Sequence, residues 1–234
     1  MNNALFIGAT DISDLLHYLS KIIAVSGKKV LLIDGTEERF IRFGTPLPSK
    51  TIKIVEFEGF DVAIGFNTLS ELDKYLGKNH QYETLILHTS GKDFIEKSDL
   101  SRFESKFIAT TSEKMSLDKT IIAIHFLLDG TTQFEFTKIS INTIESNVSS
   151  DFLERVLSGL QIQWSIETIE LFYDEVDYSI KVNNQHEGKI EMRRLSRNYK
   201  AVLKELVQVL TVLEKRELKS VIKQVSRRSS AWGK

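Results

Sequence analysis

The order of apolar runs and amphipathic stretches predicts an α/β protein with one doubly wound, mainly parallel sheet and helices on both faces. Three observations carry that expectation. Strand-like and helix-like segments alternate from the first residues, which calls for crossover units around a parallel sheet. Residues 29–34 are apolar almost throughout, and 84–89 (TLILHT) centre on three consecutive apolar residues, as in strands covered on both sides. No linker or repeat divides the 234 residues, so a single large domain is the simpler organisation.

The elements follow in order. Residues 4–8 form a short apolar run ending in glycine, and 12–25 carry Ile12, Leu15, Leu16, Leu19, Ile22 and Ile23 at helical spacing. Gly27 closes that helix, and 29–34 form the second strand. Residues 35–50 hold both prolines, Pro46 and Pro48, and read as a loop. Strands are expected at 51–56 and 61–66, a helix at 69–76, and strands at 84–89 and 106–110. A helix at 116–128, a strand at 134–142, a helix at 150–160 and a last strand at 165–171 follow. One long helical pattern then runs from about residue 195 towards 228, as a long C-terminal helix.

Composition excludes several chemistries. With no cysteine in the chain there is no disulfide framework, thiolate metal site or cysteine nucleophile. The five histidines, His17, His80, His88, His125 and His186, are scattered without metal-ligand spacing, and no nucleophile elbow is present. No metal site and no catalytic residue are expected. The start, MNNALFIG, lacks a basic segment ahead of a long apolar one, so no signal peptide is expected. No run approaches the roughly 20 apolar residues that span a bilayer, and a cytoplasmic protein is expected.

The net charge of −1 hides an asymmetry: residues 214–234 carry seven Lys or Arg against two Glu, so that tail is +5 on a body of −6. Within it Leu218, Val221, Ile222 and Val225 recur at helical spacing, flanked by Lys215, Lys219, Lys223, Arg227 and Arg228, with Trp232 near the end. Residues 1–213 are therefore read as the α/β domain and 214–234 as a basic amphipathic tail. Three readings of the tail stay open: packing on the body or a second subunit, contact with an anionic membrane, and contact with an acidic partner or DNA. The short stripe of valine and isoleucine favours packing, and a nucleic-acid partner is not expected.

The first place to look for a ligand is the first strand–loop–helix unit, because ligands collect beyond the carboxyl ends of parallel strands. It reads Phe6-Ile7-Gly8-Ala9-Thr10-Asp11-Ile12-Ser13-Asp14-Leu15, then a helix, then Gly27-Lys28-Lys29-Val30-Leu31-Leu32-Ile33-Asp34. This unit resembles the start of the ParA/MinD family of deviant-Walker-A ATPases, where a strand runs into KGGxGKTT and the next strand reads GKKVLLID. The family loop falls on residues 7–14. Gly8 matches its first glycine and Ser13 its magnesium-binding hydroxyl. Ile7 stands at the signature lysine, Ile12 at the lysine that pairs with the β- and γ-phosphates, and Asp11 at the last glycine.

The resemblance continues along the chain. Residues 82–91, with His88 at the magnesium-directing aspartate, look like the Walker B strand YDYIIIDTPPG. Residues 106–117 resemble the next strand and its TTPE-x-x-SL turn. Asp34 matches the first switch aspartate, with Thr36 at the second, and Asn142 falls on the adenine-contacting asparagine of the VxN strand. Tyr173-Asp174-Glu175-Val176, Gly188-Lys189-Ile190, Ser196 and Tyr199 follow the closing pattern. The resemblance implies a P-loop NTPase-like fold, a nucleotide site and a homodimer.

The substitutions imply that the site is degenerate. A P-loop works because glycines let backbone N–H groups close on phosphate while a lysine neutralises its charge; isoleucine brings no charge, and the Asp11 carboxylate repels phosphate. A bound nucleotide cofactor is therefore not expected. The expectation is a non-hydrolysing relative that works through protein partners as a localisation or scaffolding factor. Such relatives serve pilus or secretion systems (the TadZ/CpaE type), conjugation or partition, with peripheral contact at the inner face of the membrane open through the tail. The alternatives are an ATP-binding switch that recruits a lysine from elsewhere, and a membrane- or DNA-associated partition protein.

Overall fold

The computed structural model describes residues 3–49, 51–77, 80–91, 93–128, 132–165 and 168–228. Nine strands form one sheet in the order β3-β4-β2-β5-β1-β6-β7-β8, with β9 also on β7. These strands are β1 (Ala4–Ile7), β2 (Val30–Gly35), β3 (Ile54–Phe57), β4 (Phe60–Ala63), β5 (Thr84–Thr89), β6 (Ser105–Thr110), β7 (Phe134–Thr143), β8 (Ile162–Trp164) and β9 (Ile169–Phe172). Every pairing is parallel except β3 with β4, a hairpin at one edge.

Alternation along the strands gives the sheet two dry faces. Phe6, Leu32, Ile86 and Phe107 face one apolar cluster, with α1 (Ser13–Val25), α7 (Arg197–Leu210) and α8 (Lys215–Arg228). Leu5, Ile7, Ile33, Leu87 and Ile108 face the other, with α3 (Leu69–Leu76), α4 (Lys114–Leu127) and α5 (Phe152–Val156). This is the doubly wound architecture that the apolar strands require. No helix among the described residues is long and apolar enough to cross a membrane.

Several expected elements change on folding. The loop at 35–50 contains a single helical turn, α2 (Phe40–Phe43). The helix expected at 150–160 shortens to α5, the strand expected at 165–171 is β9, and an additional strand, β8, precedes it, the two pairing with successive halves of β7. The long closing pattern breaks into α7 and α8: Thr211 is extended, and its hydroxyl turns back to the Val207 carbonyl at 2.7 Å. In α8, Leu218 and Val225 are buried in the core of the body, Val221 and Ile222 pack partly against it, and Lys215, Lys219 and Lys223 are exposed. Trp232 lies outside the described residues, as do the side chains of Arg227 and Arg228.

One helix absent from the sequence-based expectation matters for everything below. Helix α6 (Glu175–Glu187) starts at Asp174, whose carboxylate accepts the N–H groups of Val176 and Asp177, and ends at Gly188 in the left-handed region (φ 60°). Asp174 as N-cap and Gly188 as terminator were the available signals. The helix has only a weak apolar stripe, and periodicity alone passes over it.

Gly8 occupies the crossing of β1 and β6. A Cβ there would lie 1.9 Å from the Ala109 carbonyl oxygen, a backbone atom that cannot swing aside. Gly8→Ala should cost about 2–3 kcal/mol by overpacking, while Gly159→Ala, with open space around it, should shift stability by less than about 1 kcal/mol. Urea unfolding of the two variants checks this.

Candidate functional site

At the carboxyl end of β1 the chain turns through Gly8–Ile12 into α1, and three amides of this segment find partners inside the protein. Gly8 N–H donates to Thr89 O (2.9 Å) and Ala9 N–H to the Thr120 hydroxyl (3.0 Å). Ser13 N–H, at the start of α1, donates to Asp11 Oδ1 at 3.0 Å. A helix N-terminus attracts an anion through its free amides and dipole; here the anion is the protein's own carboxylate.

Facing this loop, α6 delivers a lysine. Lys181 Nζ lies 2.9 Å from Asp11 Oδ2 and 3.3 Å from Asp14 Oδ1, and donates to the Asp11 carbonyl at 3.0 Å. Asp14 also accepts the Tyr199 hydroxyl at 2.7 Å. Burial disfavours the Lys181 charge, but Asp14 and Asp11 together hold its ammonium above the ordinary lysine range. Burial likewise opposes ionisation of Asp11, yet the lysine and the Ser13 bonds bring its carboxyl below the usual value. The result is a closed ionic cluster with two negative charges and one positive.

The positions matched to the nucleotide site divide into three groups. Ile7 and Ile12, where the two lysines would stand, are buried in opposite apolar clusters. Asp34 and His88 are buried and engaged locally. Asp34 Oδ1 accepts the Thr36 hydroxyl (2.7 Å) and amide (3.3 Å), and Oδ2 accepts Arg42 N–H at 3.0 Å. Burial raises the Asp34 pKa, with those bonds opposing. His88 donates Nε2–H to the Gly8 carbonyl at 3.1 Å and stacks on Phe40, and burial pushes its imidazole down to about 4, so it is neutral at pH 7.

The third group borders open space. Asn142 sits at a bulge between Ile141 and Thr143 with φ 50°, exposed. It lines a cleft of about 760 Å³ above the loop, together with Thr10, Asp11, Glu113, Tyr178 and Lys181. Ser13 is buried, and its hydroxyl has no hydrogen-bond partner among the described residues. The structure thus brings Gly8, Asp11, Ser13, Asp34 and His88 to one end of the sheet, and adds Lys181 and Tyr199. Among the described residues no group of three or more potential ligands could hold a metal.

No family profile matches the sequence, and no curated protein is significantly similar to it. Solved structures do match. A ParA family ATPase from Chlorobium tepidum aligns over 91% of this chain and 99% of its own, with TM-score 0.59 at 13% identity. MinD of Aquifex aeolicus aligns over 92% of this chain at 14% identity. Its TM-score is 0.57 in the MinC:MinD cell division complex, over 99% of that chain, and 0.54 in a second structure, over 98%. The chain therefore has the fold of the ParA/MinD ATPases, and the resemblance read from the sequence is supported in three dimensions.

Two expected outcomes follow from the cluster and the buried rings. Lys181→Met leaves two partly exposed carboxylates facing each other and should destabilise by about 1–3 kcal/mol, lowering Tm by roughly 2–12 °C. Replacing Asp11 and Asp14 by Asn in that background should restore part of the loss. The second concerns pH. His17 and His88 are both held near 4 by burial, against 6.5 when unfolded. Below pH 6.5 the unfolded chain takes up protons that the folded chain refuses, so stability falls as pH drops, by about 2 kcal/mol per ring at pH 5. Urea unfolding at pH 7 and 5 measures the loss, and His88→Gln should remove its share.

Proposed function

We propose that this chain is a non-hydrolysing relative of the ParA/MinD ATPases that acts as a localisation or scaffolding factor through protein–protein contacts, as a homodimer. The observation that carries this reading is the position of Lys181. Its ammonium is held between Asp11 and Asp14 at the mouth of the loop, where a phosphate-binding loop would hold its anion. A triphosphate entering there meets Asp11 first, gains no unpaired cation from the described residues lining the cleft, and finds the amides of Gly8, Ala9 and Ser13 already bonded.

The fold supports the partner-binding half of the proposal. The MinD neighbour was solved in complex with MinC, so a protein of this shape can present itself to another chain. Pilus or secretion assembly, conjugation and partition are the settings in which such a factor would serve. Contact of the basic α8 with a membrane would be a peripheral addition to that role.

The alternative, an ATP switch with an altered phosphate site, has one specific observation in its favour. It requires a lysine from another part of the chain, and Lys181 reaches the loop from α6. Two carboxylates already claim that lysine, and freeing it would break the ionic cluster at the loop. Titration calorimetry with ATP and magnesium separates the readings. No saturable heat is expected up to about 1 mM nucleotide, a binding free energy weaker than about −4 kcal/mol. Micromolar, magnesium-dependent binding would overturn the proposal.

A further inference from the structure

The cleft above the loop has walls and a floor of opposite character. Its rim is apolar and open: Met115, Ile144, Tyr173 and Tyr178 are each more than half exposed, and Val148 is also exposed. The two tyrosine rings lie 6.4 Å apart. The floor runs into a small cavity of about 30 Å³ that shares Asp11, Asn142, Tyr178 and Lys181 with the cleft. Across both, the charged lining residues are five carboxylates (Asp11, Asp14, Glu113, Asp174 and Asp177) against the single lysine, Lys181.

Asp177 distinguishes this floor from an ordinary acidic surface. It is 6% exposed, and its Oδ1 accepts Ser196 N–H at 2.7 Å. Its Oδ2 is shut off from solvent without a hydrogen-bond partner among the described residues. A buried acceptor left unpaired costs stability until a donor reaches it, and Asp177 lines the small cavity at the bottom of the cleft.

We propose that this cleft binds a basic side chain of a partner polypeptide, with its guanidinium or ammonium towards the carboxylate floor and apolar neighbours on the Met115, Ile144, Tyr173 and Tyr178 rim. The inference rests on the scaffold reading above and names the chemistry of the partner. The argument is complementarity of charge and shape. An anion meets an excess of negative charge, whereas a cation gains from the carboxylates and from the exposed tyrosine faces. The volume suits a side chain with flanking residues. A free amine would satisfy the floor and leave the apolar rim in water, which is why a polypeptide fits better.

The test uses the full chain, fluorescently labelled, on an array of heptapeptides. Their central residue is fixed as arginine, its uncharged isostere citrulline, or glutamate, and the flanking positions are varied among Leu, Ile, Phe, Tyr, Met and Ser. Arginine-centred peptides should be enriched and bind about tenfold or more tighter than citrulline counterparts, the worth of one charge-assisted hydrogen bond. Glu113→Gln and Tyr178→Ala, both at exposed positions, should each weaken the selected peptides, and Val212→Ser, on the exposed α7–α8 connection, should not. Equal binding of citrulline or glutamate peptides, binding unchanged in both cleft variants, or no peptide above background overturns the proposal. Any of those results with ATP still failing to bind removes this inference alone. Magnesium-dependent ATP binding that displaces the peptides removes the scaffold reading beneath it.

Discussion

The constraint on which the site depends is the partly buried ammonium of Lys181 between Asp11 and Asp14. It joins segments 170 residues apart in the chain. Through Asp14 it extends to Tyr199, so the first loop, α1, α6 and α7 meet at one ionic cluster. Taking charges out of water is expensive, and such a cluster holds only when each member has its partners. Here Asp11 is bonded by Lys181 and by the Ser13 amide, Asp14 by Lys181 and the Tyr199 hydroxyl, and Lys181 by both carboxylates and a carbonyl. The geometry that stabilises the loop is the same geometry that fills it.

Around that cluster, residues that would serve phosphate chemistry in a relative serve packing. Ile7 and Ile12 add apolar volume to opposite faces of the sheet, so neither could become lysine without burying an unpaired charge. Gly8 is required here by the approach of Ala109 O, a reason that holds with no ligand present. His88 occupies the strand end where a metal-directing carboxylate would stand. As a neutral ring it ties β5 to the Gly8 carbonyl and supports Phe40. A single glycine matched to a motif is therefore weak testimony to that motif's chemistry, because the sheet itself can demand it.

The sheet was legible in the sequence because its central strands are buried on both faces, and the burial of Ile7 and Ile12 follows from residue type alone. The role of Asp34 as a turn-capping residue is also of the kind that composition suggests, since Thr36 two positions later supplies two of its three donors and the Arg42 amide the third. Lys181 was not legible. It lies on a helix whose apolar positions are few and irregular, and a lone lysine in a polar stretch looks like solvated surface. Only the fold brings it to Asp11. The division of the closing helix at Thr211 was hidden for a related reason: Leu206, Val207 and Leu210 continue helical spacing towards Leu213, and the break is a local change of Thr211 to extended backbone, with its hydroxyl bonded to the Val207 carbonyl. The signals missed were caps and turns, which act over one or two residues and leave no period to find.

Closing the phosphate loop does not close the crevice, and that difference bears on function. The crevice follows from topology: β1 and its neighbours end together, and the crossovers leave on opposite faces. With Asp11 and Lys181 at the loop, the charged lining of the floor is mainly carboxylate, while the rim is open and apolar. An empty site with no remaining use would gain by polar substitution at Met115, Ile144, Tyr173 and Tyr178, since exposed apolar area contributes nothing to a monomer's stability and invites association. Their presence beside a buried, unpaired Asp177 oxygen is easier to understand if another chain covers them. In that arrangement the ionic cluster fixes the floor so that a partner meets a surface already formed, and the ordering cost of binding falls mainly on the partner.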